Sequence, residues 1–105
     1  MDIEQLRYFT VIAAYQNLSK AQEELHIAQP ALSTGLARLE KQLGVPLFDR
    51  YKGRLRLNNY GQTFLPYAQS ICNTFSQAQT ALAAELELRQ NYLTIAILDW
   101  GFSPR

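Results

Sequence analysis

The 105-residue sequence has little of the chemistry on which catalysis and metal binding depend. It contains one cysteine, Cys72, and one histidine, His26, which lie far apart in the chain. A single cysteine excludes a disulfide within the chain and is typical of a reducing cytosol. Because metal sites and nucleophilic triads need several converging His, Cys, Asp or Glu side chains, the sequence predicts no enzyme, no metal and no cofactor.

Long apolar runs and a strong net charge are also lacking. No stretch approaches the roughly 18 apolar residues of a membrane span, and no basic-then-apolar signal segment opens the sequence. We therefore expect a cytoplasmic protein without a membrane partner. The net charge of +1 supports nucleic-acid binding only weakly. The distribution of charge along the chain is more informative. Residues 19–58 carry seven cations and four acidic residues, which gives this segment a local charge of +3.

Residues 19–43 have the pattern of two helices separated by a short break, and the rest of the chain is organised around them. Ser19 and Gln22 form the S-x-x-Q pattern of a capping box, which predicts that Ser19 caps the first of these helices. This helix is expected from about Lys20 to Leu25.

The second helix is expected to begin at Gln29-Pro30, because proline is tolerated in a first turn, where its missing N–H would have no partner. Gly44 is suited to a C-cap, and Pro46 forbids continuation of the helix. Its apolar residues recur at intervals of four, three and four, which is one helical stripe: Leu32, Leu36, Leu39 and Leu43. Two short helices joined by such a turn indicate a helix-turn-helix.

The sequence around this motif resembles the N-terminal DNA-binding region of LysR-type transcriptional regulators. The matching segments are Q-P-A-L-S at residues 29–33, L-E at residues 39–40 and L-G-V-P-L-F-D-R at residues 43–50, and the resemblance extends over about residues 2 to 90. It implies a DNA-binding regulator whose full-length form senses a small molecule through a C-terminal domain. Thr34 and Gly35 depart from the family pattern, in which basic or amide residues are common there.

After the helix-turn-helix the apolar spacing changes to two. Leu55 and Leu57 alternate with Arg54 and Arg56, as in a half-buried strand. Lys52-Gly53 is suited to a tight turn between two short strands. A small hairpin at this place is a wing, so the expected fold class is mostly α with a small β-hairpin wing.

One helix is expected before this region and one after it. Asp2, with Gln5 three residues on, predicts a first helix from about Ile3 to Tyr15. Asn58 predicts the cap of a long helix, and Pro66 predicts a kink or an irregular first turn in it. Apolar residues recur in this helix as a heptad seam, which predicts a dimer interface: Phe64, Ala68, Ile71, Phe75, Ala78, Leu82 and Leu86.

Three parts are therefore expected along the chain. Residues 1–58 form the winged helix-turn-helix DNA-binding domain, residues 59–90 form the linker and dimerisation helix, and residues 91–105 begin a truncated effector-binding domain. Asn91–Leu98 is rich in β-branched and aromatic residues, which is typical of a strand. In the resembled family a strand here opens the effector-binding domain, so we expect a chain truncated either naturally or by design.

The residues expected to contact DNA fall into two groups. In a helix-turn-helix the first turns of the second helix reach base edges in the major groove. The candidates for base contact point away from the leucine stripe: Gln29, Pro30, Ser33 and Thr34. The candidates for phosphate contact are hydroxyl or cationic residues of the motif and the wing: Ser19, Arg38, Arg50, Lys52, Arg54 and Arg56.

Two functions are compatible with these features. The first is a sequence-specific transcriptional regulator that binds double-stranded DNA as a homodimer or higher oligomer, at a two-fold related promoter site. The alternative is a truncated interaction module that pairs with a full-length relative and modulates its DNA binding. Salt-dependent binding to duplex DNA separates the two.

Overall fold

The computed structural model describes residues 1–99, with the side chains of residues 1–92. The elements in chain order are α1 (Ile3–Tyr15), α2 (Leu18–Leu25), α3 (Gln29–Leu43), β1 (Phe48–Tyr51), β2 (Arg54–Leu57) and α4 (Asn59–Asp99). Helices and a two-stranded antiparallel hairpin, followed by a long helix, confirm the expected fold class. The chain divides into two compact units, Met1–Asn73 and Thr74–Arg105.

The first helix begins as expected, but the cap of α2 differs from the prediction. The backbone N–H of Gln5 donates to the Asp2 carboxylate at 2.9 Å, which caps α1. At α2, the N–H of Lys20 donates to Oδ1 of Asn17 at 3.0 Å, so Asn17 is the N-cap and Ser19 is not. Asn17 has the extended backbone that a cap needs, and it places Ser19 inside the first turn. The predicted capping box at Ser19 is therefore wrong.

The second helix of the motif has the predicted limits. Ala28 occupies the N-cap position without a side-chain hydrogen bond, and Pro30 lies in the first turn. Gly44 ends the helix in the left-handed region at φ 79°, and its N–H donates to the carbonyl of Glu40 at 2.8 Å. Leu32 and Leu39 are fully buried, so the leucine stripe faces the core as the spacing predicted.

The hairpin is anchored to the helices through backbone groups at its two ends. The carboxylate of Glu40 accepts from the N–H of Leu47 at 2.7 Å. Asn58 donates its N–H to the Leu47 carbonyl at 3.0 Å and its side-chain amide to the Pro46 carbonyl at 2.9 Å. Asn58 also caps α4, because its Oδ1 accepts from the N–H of Gly61 at 2.8 Å.

The core of the first unit centres on Phe9 of α1, which is fully buried. Its ring meets Phe48 of β1 edge-on at 5.6 Å between centroids, and Phe64 of α4 lies 5.4 Å away. Aromatic contacts of this kind add about 0.5–1.5 kcal/mol each beyond area burial. Three elements are thus held together at one point, which fixes the hairpin beside the helix-turn-helix.

Two of the predicted seam residues belong to this core. Ala68 is fully buried and presents no surface to a partner, whereas Phe64 packs against Phe9 but is only partly buried. The dimer assignment of Ala68 is therefore corrected, and that of Phe64 stays a prediction. The cause is that the first turns of α4 face the short helices, so the exposed part of the seam begins one turn later, at Ile71.

The strand expected at residues 91–98 is wrong, because α4 continues to Asp99. Neither glycine nor proline occurs between residues 67 and 100, so nothing in the sequence ends the helix. Once a helix is nucleated, β-branched residues cost only tenths of a kcal/mol each to add, about 0.7 kcal/mol at most. Residues 100–105, the end of the expected effector-domain segment, lie outside the described residues. None of the helices in the described part combines the length and apolar character that crossing a bilayer demands.

Candidate nucleic-acid interface

The exposed face of α3 carries the residues predicted to read bases. Because Leu32, Leu36 and Leu39 are buried, the opposite face of the helix points to solvent. Gln29, Pro30 and Thr34 are exposed there, while Ser33 is half-buried. The helix begins without a side-chain cap, Pro30 has no N–H, and the N–H groups of Ala31 and Leu32 donate to the Ala28 carbonyl at 3.1 Å.

Pro30, Thr34 and Arg38 lie one turn apart and line a groove between α3 and α1, which we call the α1–α3 groove. It encloses about 470 Å³. Among the described residues, it is lined by Asp2, Glu4, Gln5, Tyr8, Pro30, Ala31, Thr34, Gly35 and Arg38. The wall formed by α1 is acidic, since it carries two carboxylates, and Arg38 brings the only cation among the lining residues.

Within the α1–α3 groove, one buried acceptor lacks a partner. Gln5 is 9% exposed, and its Oε1 accepts no hydrogen bond from the described residues. Glu4, by contrast, forms an ion pair with Arg7 at 3.2 Å. Sequence reasoning did not single out Gln5, because nothing in its spacing separates it from an ordinary polar residue of the first turn.

Gly35 permits a close approach of α1 to α3. A Cβ atom at this position would lie 2.7 Å from Cδ2 and 3.0 Å from Cε2 of Tyr8. Both distances are short for a carbon contact, so a side chain at position 35 would displace the Tyr8 ring. Glycine inside a helix costs about 1 kcal/mol relative to alanine, and the contact with Tyr8 that compensates for this cost could not be predicted from the sequence.

The cations of the hairpin are distributed over more than one face. Directly opposed residues of an antiparallel pair share a face, and Arg50 is paired with Leu55, which is buried. The neighbouring pairs, Arg54 with Tyr51 and Arg56 with Asp49, lie on the other face. Arg50 is therefore separated from Arg54 and Arg56, although all three are exposed.

The turn of the hairpin places Lys52 at its tip. Lys52 and Gly53 both have positive φ, 51° and 75°, which is the twist that favours two-residue hairpins. The ammonium of Lys52 lies 5.4 Å from the centroid of the Tyr51 ring. This cation–π contact stabilises the tip, while the ammonium remains exposed to an approaching phosphate.

A cleft separates the α1–α2 turn from the hairpin, and we call it the turn–wing cleft. It encloses about 590 Å³ and is lined by Tyr15, Gln16, Asn17, Lys20, Tyr51, Arg54, Leu55 and Arg56. Two predicted phosphate contacts, Arg54 and Arg56, come together here. Tyr15, Lys20 and Tyr51 were not among the site residues predicted from the sequence. They could have been found, because an aromatic or cationic residue lies close to each end of the helix-turn-helix in the sequence.

The remaining reactive side chains lie away from these surfaces. His26 is the left-handed C-cap of α2 at φ 56°, and its N–H donates to the Gln22 carbonyl. Cys72 is half-buried on α4, and burial raises the pKa of its thiol above the ordinary value. Within the described residues, no three His, Cys, Asp or Glu side chains are grouped so that they could hold a metal ion.

Comparison with known proteins agrees with this geometry. The chain is 41% identical over 98 residues to YybE of Bacillus subtilis (strain 168), an uncharacterized HTH-type transcriptional regulator, covering 93% of this chain and 34% of YybE. The chain thus spans about a third of the length of the curated relatives it matches.

Two solved structures share the fold. A variant of full-length OxyR from Pseudomonas aeruginosa superposes with a TM-score of 0.77 at 33% identity, over 80% of this chain and 28% of OxyR. The crystal structure of the "CbnR_DBD-DNA complex" gives a TM-score of 0.74 at 30% identity, over 82% of this chain and 99% of that chain. The model of the family described as "Bacterial regulatory helix-turn-helix protein, lysR family" matches residues 3–62, more than half of the sequence. This chain belongs to the lysR family of bacterial regulatory helix-turn-helix proteins.

Proposed function

We propose that the chain binds duplex DNA with α3 in the major groove and so acts in transcription regulation. The main observation in support of this proposal is that one face of the N-terminal half of α3 is exposed to solvent. The other face of the same helix is packed into the core through buried leucines. Gln29 offers a donor and an acceptor to adenine, and Pro30 and Thr34 offer apolar contact to a thymine methyl. A solved relative, CbnR, forms a DNA complex through a domain of this fold.

The sequence-independent part of binding is assigned to the phosphate-contact candidates. Ser19 is exposed in the first turn of α2, and its hydroxyl is not used as the helix cap. Arg50, Lys52, Arg54 and Arg56 supply charge on the hairpin, and each phosphate neutralised by such a cation adds about 0.9 to the salt slope on duplex DNA. Arg38 lies one turn beyond Thr34 in the α1–α3 groove, and we assign its guanidinium to a phosphate beside the bases that Thr34 would contact.

A second copy of the chain is the proposed partner of α4. Four seam residues on the described part of the second unit are exposed, namely Phe75, Ala78, Leu82 and Leu86. Leaving such side chains in water is unfavourable, by about 25 cal/mol for each Å² of apolar surface. Pairing two copies would bury them and would present two α3 helices to a two-fold related site.

Two further properties follow from this function. Binding rather than catalysis is what the family relation supports, and a regulator of bacterial promoters works in the cytoplasm, where the DNA is. The relatives are about three times longer than this chain. A small-molecule effector would therefore act through a C-terminal domain of the full-length form.

The experiment is selection of duplexes from a random pool, followed by affinity measurements on a recovered duplex at several salt concentrations. We expect affinity to fall steeply with salt, and Arg54→Gln to lower the slope by about one for each protomer bound. Lys41→Gln is the matched control, since Lys41 is an exposed cation that lines neither the groove nor the cleft. Absence of salt-dependent duplex binding would leave the interaction module as the function.

A further inference from the structure

We propose that Asp2 of the α1–α3 groove limits the affinity of the chain for DNA, because its carboxylate opposes the attraction between Arg38 and a backbone phosphate. This proposal rests on the DNA-binding function above and adds to it an element that weakens binding. Asp2 acts without touching a base, so it lowers the affinity for every duplex alike.

Asp2 and Arg38 line the same groove, and neither is neutralised there. Both residues are exposed. In the part of the chain that the structure describes, neither forms an ion pair. The groove encloses only about 470 Å³, so its walls are no more than about one Debye length apart, which is roughly 8 Å at physiological salt. Salt therefore leaves a substantial part of the field of Asp2 unscreened at Arg38.

The other polar groups of the α1 wall reinforce Asp2. Glu4 is a second carboxylate, but Arg7 neutralises it in part through the ion pair at 3.2 Å. Oε1 of Gln5 is a further acceptor, since this residue is 9% exposed and the oxygen has no hydrogen-bond partner among the described residues. Asp2 is thus the carboxylate of this wall whose charge no ion pair offsets.

A phosphate that approaches Arg38 meets this wall beside it. The phosphate is itself anionic and its oxygens are acceptors, so a nearby carboxylate repels it and also competes with it for the guanidinium. Both effects weaken the contact between Arg38 and the phosphate. The turn–wing cleft is the contrasting case, because three cations and no carboxylate line it.

The consequence concerns the balance between backbone contacts and base contacts. Attraction to phosphates provides almost all of non-specific DNA binding, whereas contacts with base edges carry the sequence information. Pro30 and Thr34 line the same groove and are uncharged, so the charge of Asp2 leaves their contacts with bases unaffected. Because the backbone contribution beside them is smaller, stable binding depends more on the correct bases.

The variant Asp2→Asn separates the charge of Asp2 from its structural role. The Asp2 carboxylate accepts from the N–H of Gln5 at 2.9 Å and so caps α1, and asparagine and serine cap helices about as well as aspartate. Asp2→Ser is therefore the second variant. The matched control is Glu87→Gln on α4, which changes the net charge by the same amount. Glu87 is exposed and lines neither the groove nor the cleft.

The test measures the affinity of each variant for a selected duplex and for a scrambled one. We expect both Asp2 variants to bind the two duplexes about two- to fivefold more tightly for each protomer at about 0.15 M salt. Glu87→Gln should match the wild type, and circular dichroism should show every variant folded. If the affinity of both Asp2 variants is unchanged or weaker, the proposal is overturned.

The salt dependence of this gain distinguishes an electrostatic role of Asp2 from a structural one. The Debye length falls from about 10 Å at 0.1 M salt to about 3 Å at 1 M. The gain from Asp2→Asn should therefore shrink steadily as salt is added. A gain of the same size at every salt concentration would show that the substitution acts through the structure of α1, and the proposal would fail.

Duplexes with single methylphosphonate substitutions, each of which removes one backbone charge, test whether Arg38 is the group involved. The phosphate that Arg38 contacts is the one whose neutralisation weakens the wild type but not Arg38→Gln. On the duplex without this charge the gain from Asp2→Asn should disappear, and a gain that persists on every substituted duplex overturns the proposal. Failure of the DNA-binding function itself would show differently, as a wild-type chain that binds no duplex at low salt.

Discussion

The ring of Tyr8 lies directly against the backbone of Gly35, and a Cβ built on Gly35 would be 2.7 Å from Cδ2 of that ring. This contact sets the separation between α1 and α3, the helix proposed to read DNA. Glycine inside a helix costs about 1 kcal/mol relative to alanine. The structure shows what offsets this cost, because only a residue without a side chain lets the half-buried Tyr8 pack onto α3.

The first prediction is that Gly35→Ala destabilises the protein, although alanine is the better helix former. Overpacking of this kind costs about 1–3 kcal/mol, against a propensity gain of about 1 kcal/mol. We expect the free energy of unfolding, measured by urea denaturation, to fall by about 1 kcal/mol. The control is the same change in a Tyr8→Ala background, where the clash is absent and alanine should be neutral or stabilising. Equal effects in both backgrounds would show that Tyr8 is not the cause.

The second prediction separates the two candidate caps of α2. Asn17→Ala removes the side chain that accepts from Lys20 N–H at 3.0 Å and should cost about 1 kcal/mol of stability. Ser19→Ala truncates an exposed residue inside the first turn and should change stability by less than about 0.5 kcal/mol. Thermal unfolding of the two variants, followed by circular dichroism, gives the comparison. A larger loss for Ser19→Ala would restore the capping box predicted from the sequence.

Local signals in the sequence were enough to predict most of the fold. Pro30 and Gly44 mark the ends of α3, and the structure confirms both. Lys52 and Gly53 form the turn of the hairpin as expected. Each of these features depends on the backbone preferences of one or two residues, so no knowledge of distant contacts was needed.

The errors have a common origin in contacts that the sequence order conceals. Ala68 fitted the heptad spacing as well as Phe75 did, but in the folded protomer it is buried in the core. The strand expected at residues 91–98 had suitable residue types, yet in the described chain it continues a helix that nothing ends. In the same way the turn–wing cleft joins Lys20 to Arg54, which are distant in the chain.

The third prediction concerns the part of the seam that stays exposed. Phe75→Asp places a charge among the apolar residues of α4 and should give monomers, because a carboxylate cannot be buried unpaired. The helix-turn-helix should stay folded, since Phe75 is 40% exposed and lies outside its core. Light scattering at roughly tens of micromolar protein measures the change. If the wild-type protein is monomeric at that concentration, the predicted dimer is ruled out.

Ala68→Asp is the matched comparison for that experiment. Ala68 also fits the seam, but it is fully buried within the protomer. A charge there should unfold the first unit, by several kcal/mol, instead of giving a folded monomer. A well-folded Ala68→Asp monomer would mean that Ala68 faces the partner after all.

The last prediction is that Gln29 carries sequence discrimination. Gln29 is exposed at the start of α3, off the leucine stripe, so its side chain is not needed for the core. It has the only side-chain amide among the four candidates for base contact, and an amide can form two hydrogen bonds with adenine. Gln29→Ala should therefore cost roughly 1–3 kcal/mol on the selected duplex and much less on a scrambled one.

Both affinities must be measured at one fixed salt concentration, because the phosphate contribution varies steeply with salt. The fold should survive, since alanine is a good helix former at an exposed first-turn position, and circular dichroism checks this. The variant Arg54→Gln, which removes a cation from the hairpin, should show the contrasting pattern, in which affinity falls equally for both duplexes. Equal losses for Gln29→Ala would make Gln29 a backbone contact as well. No loss on either duplex would leave base reading to Thr34 and Arg38, which share the α1–α3 groove.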